Sequence, residues 1–288
     1  MIFLAVSILC SVIVSILLKL AKRYKINVIQ AVTWNYAFAI LMAIVFFKPQ
    51  FTDFNTFTFS PVYALLGILL PLIFWFLAAS VRHIGIVRTD IAQRLSLFIP
   101  LIAAYLIFND QFSTLKISGL VVGFLAIFLT LNKATTTRQT SKGWIYPIIV
   151  FLGFGTIDIL FKQVAQIKTI PYTSSLILIF SLSFIISILS IVYLYVVKKQ
   201  KIELINLLCG CILGFFNFLN ILFYLKAHRA MSDNPSTVFA SMNLGVIILG
   251  TLTGVFIFKE KLNKQNYLGL ALALVAIILI TLSQVYAI

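Results

Sequence analysis

Asp90, Gln93 and Arg94 stand three and four residues apart, and Asp158 and Lys162 stand four apart, each set inside a largely apolar run. Those separations bring side chains onto one face of a helix. A guanidinium held there can fork onto a carboxylate or phosphate, with Asp90 as its resting partner and a proton acceptor. The plainer reading of the same residues is a structural Asp–Arg pair near a helix end, its arginine reaching toward headgroups. For Asp158 and Lys162 the simpler expectation is a local ion pair, because carboxylate-before-lysine order at this spacing favours a helix. The sharper one is proton coupling, with the Asp158 carboxyl taking a proton once Lys162 swings away. Trp34 and Asn35, Trp75, Asn217 and Asn220, and Asn243 add indoles and amides to apolar stretches, as a solute site or as packing. His83, His228 and Arg229 fall at the ends of apolar runs and read as interfacial.

The elements that position these groups follow from composition. Of 288 residues 62% are hydrophobic and 10% charged, with a mean hydropathy of +1.11, which excludes a water-soluble fold. A helical span needs about 20 largely apolar residues. Ten such stretches lie near 1–20, 28–47, 61–81, 88–108, 115–132, 143–163, 172–197, 204–227, 235–258 and 265–284, and they leave no room for a soluble domain. Met1-Ile2-Phe3-Leu4 opens directly into the first of them, which reads as span 1 rather than as a cleaved leader. The formal charge of +15 sits in the connections, where anionic lipid headgroups rather than nucleic acid are its counterpart. Cys10, Cys209 and Cys211 lack metal-site spacing and read as buried thiols. Nucleotide-binding, nucleophile and zinc motifs are absent, so neither an enzyme nor a cofactor is expected. Any energy would then come from a gradient of protons, another coupling ion or a solute, or movement is downhill.

The polar segment 133–142 divides the chain near its middle, into residues 1–132 and 143–288. A shift of 150 superposes Ile107-Phe108-Asn109-Asp110 on Ile257-Phe258-Lys259-Glu260, Gly119-Leu120 on Gly269-Leu270, Ala126-Ile127 on Ala276-Ile277, and Leu129 on Leu279. That is seven identities over 107–129, where so biased a composition gives roughly two or three by chance. The same shift sets Asn243 opposite Gln93 and Leu244 opposite Arg94. Ser15-Ile16-Leu17-Leu18-Lys19 likewise matches Asp158-Ile159-Leu160-Phe161-Lys162 at a shift of 143. Five spans per half is odd, so the second half enters the membrane from the opposite side. The expectation is an all-α integral membrane protein of ten helices in two inverted five-helix repeats, the usual architecture of alternating-access carriers.

Tyr105 to Phe112 with Gly119-Leu120-x-x-Gly123, and Phe256 to Leu262 with Gly269-Leu270, resemble the EamA domain of the drug/metabolite transporter superfamily. In that family each half ends in a helix, a short acidic connection and a glycine-bearing last helix. Pro100 resembles the proline common in its fourth helix, while Asn109-Asp110 and Lys259-Glu260 depart from its usual Gly-Glu. The resemblance implies a multi-pass plasma-membrane carrier, exporting an amino acid or related metabolite; efflux of drugs or cations, or a receptor without transport, are the rival readings.

Family members of ten spans have both termini in the cytoplasm, whereas basic residues near the turns after odd-numbered spans outnumber those on the other face by sixteen to six. Under the positive-inside rule that count puts both termini outside. Alkaline phosphatase fused after Ile288 is then expected to be active, and fluorescence from a green fluorescent protein at that position would reverse the assignment.

Overall fold

The computed structural model describes residues 2–24, 26–49, 60–84, 86–131, 145–167, 171–257, 259 and 263–285. The dividing segment 133–142 and Glu260 lie outside them. Among the described residues the regular elements are helices: α1 (Ile2–Arg23), α2 (Val28–Phe47), α3 (Pro61–Ile84), α4 (Ile86–Leu95), α5 (Phe98–Leu106), α6 (Thr114–Leu131), α7 (Ile145–Gln166), α8 (Tyr172–Lys198), α9 (Leu204–Ala230), α10 (Pro235–Phe256) and α11 (Lys264–Val285). A helix satisfies its backbone within one segment, which hydrocarbon demands of any chain crossing it. Seven of them are long and apolar enough to span a membrane, and α1 and α6 hold shorter apolar stretches. The chain is a multi-pass membrane protein.

The run expected as one helix over 88–108 is broken between α4 and α5. Pro100 has no N–H to give the Ser96 carbonyl, and its ring crowds that carbonyl. The chain tightens there instead: Leu97 N–H bonds the Arg94 carbonyl at 3.3 Å and Ile99 N–H the Ser96 carbonyl at 3.0 Å, both over three residues. The Ser96 hydroxyl turns back onto the Gln93 carbonyl at 2.6 Å.

Each helix of the first half finds a main neighbour in the second. α1 lies on α9 and α10, α2 on α8 and α9, α3 on α7 and α8, α4 on α7, α5 on α7 and α10, and α6 on α11. The α6–α11 crossing is reciprocal: a Cβ on Gly119 would meet the Ile280 side chain at 2.8 Å, and one on Gly269 the Thr130 backbone at 2.6 Å. Both the glycines and their partners are related by the shift of 150. The described non-glycine residues at positive φ also fall into two pairs, Lys48 with Lys199 and Asn109 with Lys259, lying 151 and 150 positions apart. Lys48 and Lys199 close α2 and α8 in the left-handed region.

Two polar joints tie the halves at their ends. At one, the Asn27 side chain caps α2 by accepting from Ile29 N–H and Gln30 N–H. Asn206 of α9 accepts from Asn27 N–H at 3.0 Å and gives its amide to Gln30 Oε1 at 2.8 Å. At the other, Asp110 is buried and accepts from Lys116 Nζ at 2.7 Å and from Ser236 N–H, in the first turn of α10, at 2.8 Å. A carboxylate here offsets both the ammonium and the positive end of α10. Lys116 also donates to the Gln111 carbonyl at 2.7 Å and to Asn234 Oδ1 at 3.1 Å, so its three hydrogens are all spent.

Removing one member of such a pair strands the other charge. Lys116→Met is expected to destabilise by roughly 3–5 kcal/mol, seen as a fall in detergent melting temperature that Asp110→Asn in the same chain largely restores. The α2–α9 crossing is equally exacting: Gly210 and Gly214 face α2, where added Cβ atoms would stand 2.5 Å from Trp34 Cβ and 2.6 Å from the Asn35 carbonyl. Gly214→Ala should therefore cost about 1–3 kcal/mol by overpacking. Gly250→Ala, with nothing within 4 Å, is the control expected to melt like the parent protein.

Candidate functional site

Because α9 comes so close to α2, the α2 side chains beside the crossing are sealed from lipid. Asn35 is fully buried, and both atoms of its amide lack a hydrogen-bond partner. The indole N–H groups of Trp34 and of Trp75 on α3 are buried and unpartnered as well, as are the hydroxyls of Thr237 and Ser241, one turn apart on α10. Asn217 is buried one turn beyond Gly214. Helices α2 and α3 touch, α2 touches α9, and α9 touches α10, so these groups sit on contiguous elements. An orphaned polar group in an apolar interior costs several kcal/mol, about the penalty that bound water or a polar solute removes. Where α1, α9 and α10 meet, the Ser7 hydroxyl donates to Asn220 Oδ1 at 2.8 Å, and Met242 Sδ is 3.6 Å away. Asn243 turns its amide onto its own helix, donating to the Phe239 carbonyl at 3.1 Å.

The α7–α9 seam holds the second polar set. Asp158 and Lys162 do not pair with each other as expected. Tyr224 of α9 donates its hydroxyl to Asp158 Oδ1 at 2.9 Å, and Lys162 donates to the Ser232 carbonyl, in the turn before α10, at 2.6 Å. Partners brought by neighbouring elements have displaced the local pair. Lys162 is 0% exposed, with the Phe108 ring 5.8 Å from its Nζ. His228, one turn beyond Tyr224, is not interfacial: it is fully buried between the Tyr224 ring at 4.6 Å and the Phe239 ring at 4.8 Å, with neither nitrogen hydrogen-bonded. Arg229 does lie toward an end, donating to the Ala165 carbonyl at 3.1 Å with its guanidinium over Tyr172. Tyr224 and His228 repeat on α9 the four-residue spacing of Asp158 and Lys162 on α7, but nothing in the sequence signals that the two helices meet there.

On α4, Arg94 Nε lies 3.5 Å from Asp90 Oδ1; the Arg94 side chain is 13% exposed and the Asp90 side chain 38%. This is the contact the spacing implied, common to the structural and the functional reading of the pair. Helix α4 packs on α3, α6 and α7, whereas Asn243 stands on α10, whose neighbour in the broken span is α5. The break at Ser96–Leu97 thus puts Gln93 and Arg94 on a different helix from the one against α10. An apolar cleft of about 460 Å³ opens among the end of α1, the start of α2 and the first turns of α9, lined by Leu17, Leu20, Tyr24, Val28, Cys209 and Ile212 among others. None of the polar groups above lines it.

Comparison with known proteins adds three findings. The EamA-like transporter family matches residues 141–282. An uncharacterized protein of Haemophilus influenzae is 43% identical over 279 residues, a stretch covering 94% of each chain. A solved crystal structure superposes with a TM-score of 0.72 over 98% of this chain and 96% of its own at 12% identity, a likeness of fold alone. With the family model matching the second half of the chain and a relative 43% identical along nearly all of it, this protein belongs to the EamA-like transporter family.

Proposed function

We propose that the protein is a secondary active transporter that moves a small solute across the plasma membrane by alternating access. Its two halves act as inverted five-helix repeats. The α1–α5 and α7–α10 segments enclose a central cavity, and α6 and α11 brace it from the side. One observation carries the reading: polar side chains on α2, α3 and α10, sealed from lipid yet without partners, led by the doubly orphaned amide of Asn35. Packing alone does not maintain such groups, since each would be more stable replaced by an apolar side chain. A carrier needs them, because its solute must shed water and find hydrogen bonds at mid-membrane. The paired left-handed positions and the reciprocal glycine crossing support two halves able to exchange conformations.

An amino acid or related metabolite leaving the cell is the solute favoured. A purely cationic drug meets the buried, unpaired ammonium of Lys162, a charge of the wrong sign. Protons or another ion would couple the cycle, with Asp158 as the carboxylate placed to hold one. Arg94, paired to Asp90 on α4, gates or supports the cavity rather than lining its centre.

Purified protein in liposomes is expected to give counterflow of a labelled solute from a metabolite panel, and binding without flux for every member would overturn the reading. Asn35→Leu removes the orphaned amide and is expected to lower transport at least tenfold while holding or raising the melting temperature. Unchanged transport in that variant would place the solute elsewhere. Arg94→Ala is expected to slow the cycle with little change in solute affinity.

A further inference from the structure

We infer that the cleft where α1, α2 and α9 meet binds an anionic glycerophospholipid, with one acyl chain in the cleft and the phosphate at the basic residues around its mouth. The cleft follows from how these helices pack. Helix α9 lies against both α1 and α2, whereas α1 and α2, consecutive in the chain, scarcely touch among the described residues. The gap between them is floored by α9 and measures about 460 Å³. Its walls are single helical faces: Leu17 and Leu20 of α1 with Tyr24 just beyond it, and Ile205, Cys209 and Ile212 of α9, at spacings of three and four residues.

Such walls suit hydrocarbon. No charged side chain lines the cleft, and Ile205 and Ile212 are half exposed, so it opens along α9 toward lipid tails. Its depth is set by where the elements end: α1 at Arg23, with α2 starting at Val28 and α9 at Leu204. Tyr24 stands at that mouth, 70% exposed, the place where an amphipathic ring meets headgroups. The cleft thus runs from headgroup depth into the acyl region. A solute that must shed water gains nothing from these walls, while an acyl chain entering from the headgroup layer fills them.

The mouth is positive. Residues 17–31 and 199–213 carry six lysines or arginines and one acid, Glu203. Lys22 and Arg23 stand in the last turn of α1, between Leu20 and Tyr24 of the lining. Lys199 and Lys201 are exposed, and the Lys201 carbonyl accepts from the Gln30 side-chain amide at 2.8 Å, which pins that turn beside the start of α2. Both α2 and α9 begin here and add the positive ends of two helix dipoles. The Glu203 side chain makes no capping bond to α9. Surplus positive charge over an apolar cleft at headgroup depth matches a lipid that is apolar at one end and anionic at the other. A zwitterionic lipid supplies the chain without the net charge, and a second copy docked on this face brings the same basic residues.

The test uses the full-length protein with Cys10→Ser and Cys211→Ser, which leaves Cys209 as the thiol in the cleft. Delipidated in a neutral detergent, it is titrated with dioleoyl phosphatidylglycerol or dioleoyl phosphatidylcholine. Melting temperature and the rate at which a membrane-permeant maleimide labels Cys209 are read together. Phosphatidylglycerol is expected to raise the first and slow the second at about tenfold lower concentration than phosphatidylcholine. Glycerol phosphate, a head group without a chain, should do neither. Lys22→Gln, Arg23→Gln, Lys199→Gln and Lys201→Gln combined should bring the two lipids level. Ile212→Trp, which fills the cleft from a half-exposed position, should remove the lipid-dependent rise in melting temperature. The labelling comparison needs neither variant to fold. Equal protection of Cys209 by the two lipids would overturn the anionic assignment. Stabilisation by phosphatidylglycerol with Cys209 unprotected would put the lipid elsewhere and overturn the site. Protection that rises with protein concentration in the absence of lipid would do the same, by marking a second copy in the cleft.

Discussion

Hydrocarbon gives a chain no water to fall back on, and most of this molecule follows from that. A backbone crossing it must bond to itself, so the described elements are helices. A polar side chain inside it needs a partner, and the few charges that find one on another element become fixed points of the packing. Asp110 answers both an ammonium and a helix end with one carboxylate. Gln30, Asn27 and Asn206 pass hydrogen bonds between α2 and α9 at the other joint. Where partners are missing, as at Asn35 and His228, the omission costs several kcal/mol.

Lipid tails are as apolar as leucine, so burial of apolar surface does not drive these helices together; close backbone approach and cross-helix hydrogen bonds must. That is why glycines stand at the crossings, with Gly210 and Gly214 against α2 and Gly119 and Gly269 on the two members of the α6–α11 pair. It also explains why the halves are interleaved rather than set side by side. A first half whose main contacts lie with the second cannot repack without it.

The fold was legible in the sequence to within a few residues at most helix ends, because a run of some twenty apolar residues has one solution in a bilayer. The broken fourth span was not read, although Pro100 carried the information: its effect depends on whether neighbours compensate for the lost hydrogen bond. The polar site was legible only in part. Asn35, Trp75 and Asn217 could be picked out as polar groups in apolar runs, and Asp90 with Arg94 as a pair. The partners of Asp158 and Lys162 could not, since Tyr224 and Ser232 lie far along the chain and meet α7 only after packing. For the same reason His228 read as interfacial: its position near the end of an apolar run conceals that α9 carries it back against Phe239.

The joint at Asp110, Lys116, Asn234 and Ser236 ties the halves together at one end, and the alternating access proposed above requires it to open once per cycle. Gln111 and Asp233 are exposed on either side of it. Spin labels at Gln111→Cys and Asp233→Cys, in protein lacking Cys10, Cys209 and Cys211 and reconstituted in liposomes, report that opening by double electron–electron resonance. Alternating access predicts two distances whose populations shift when a gradient of the transported solute is imposed. A single distance unchanged by any solute that the protein moves would contradict it.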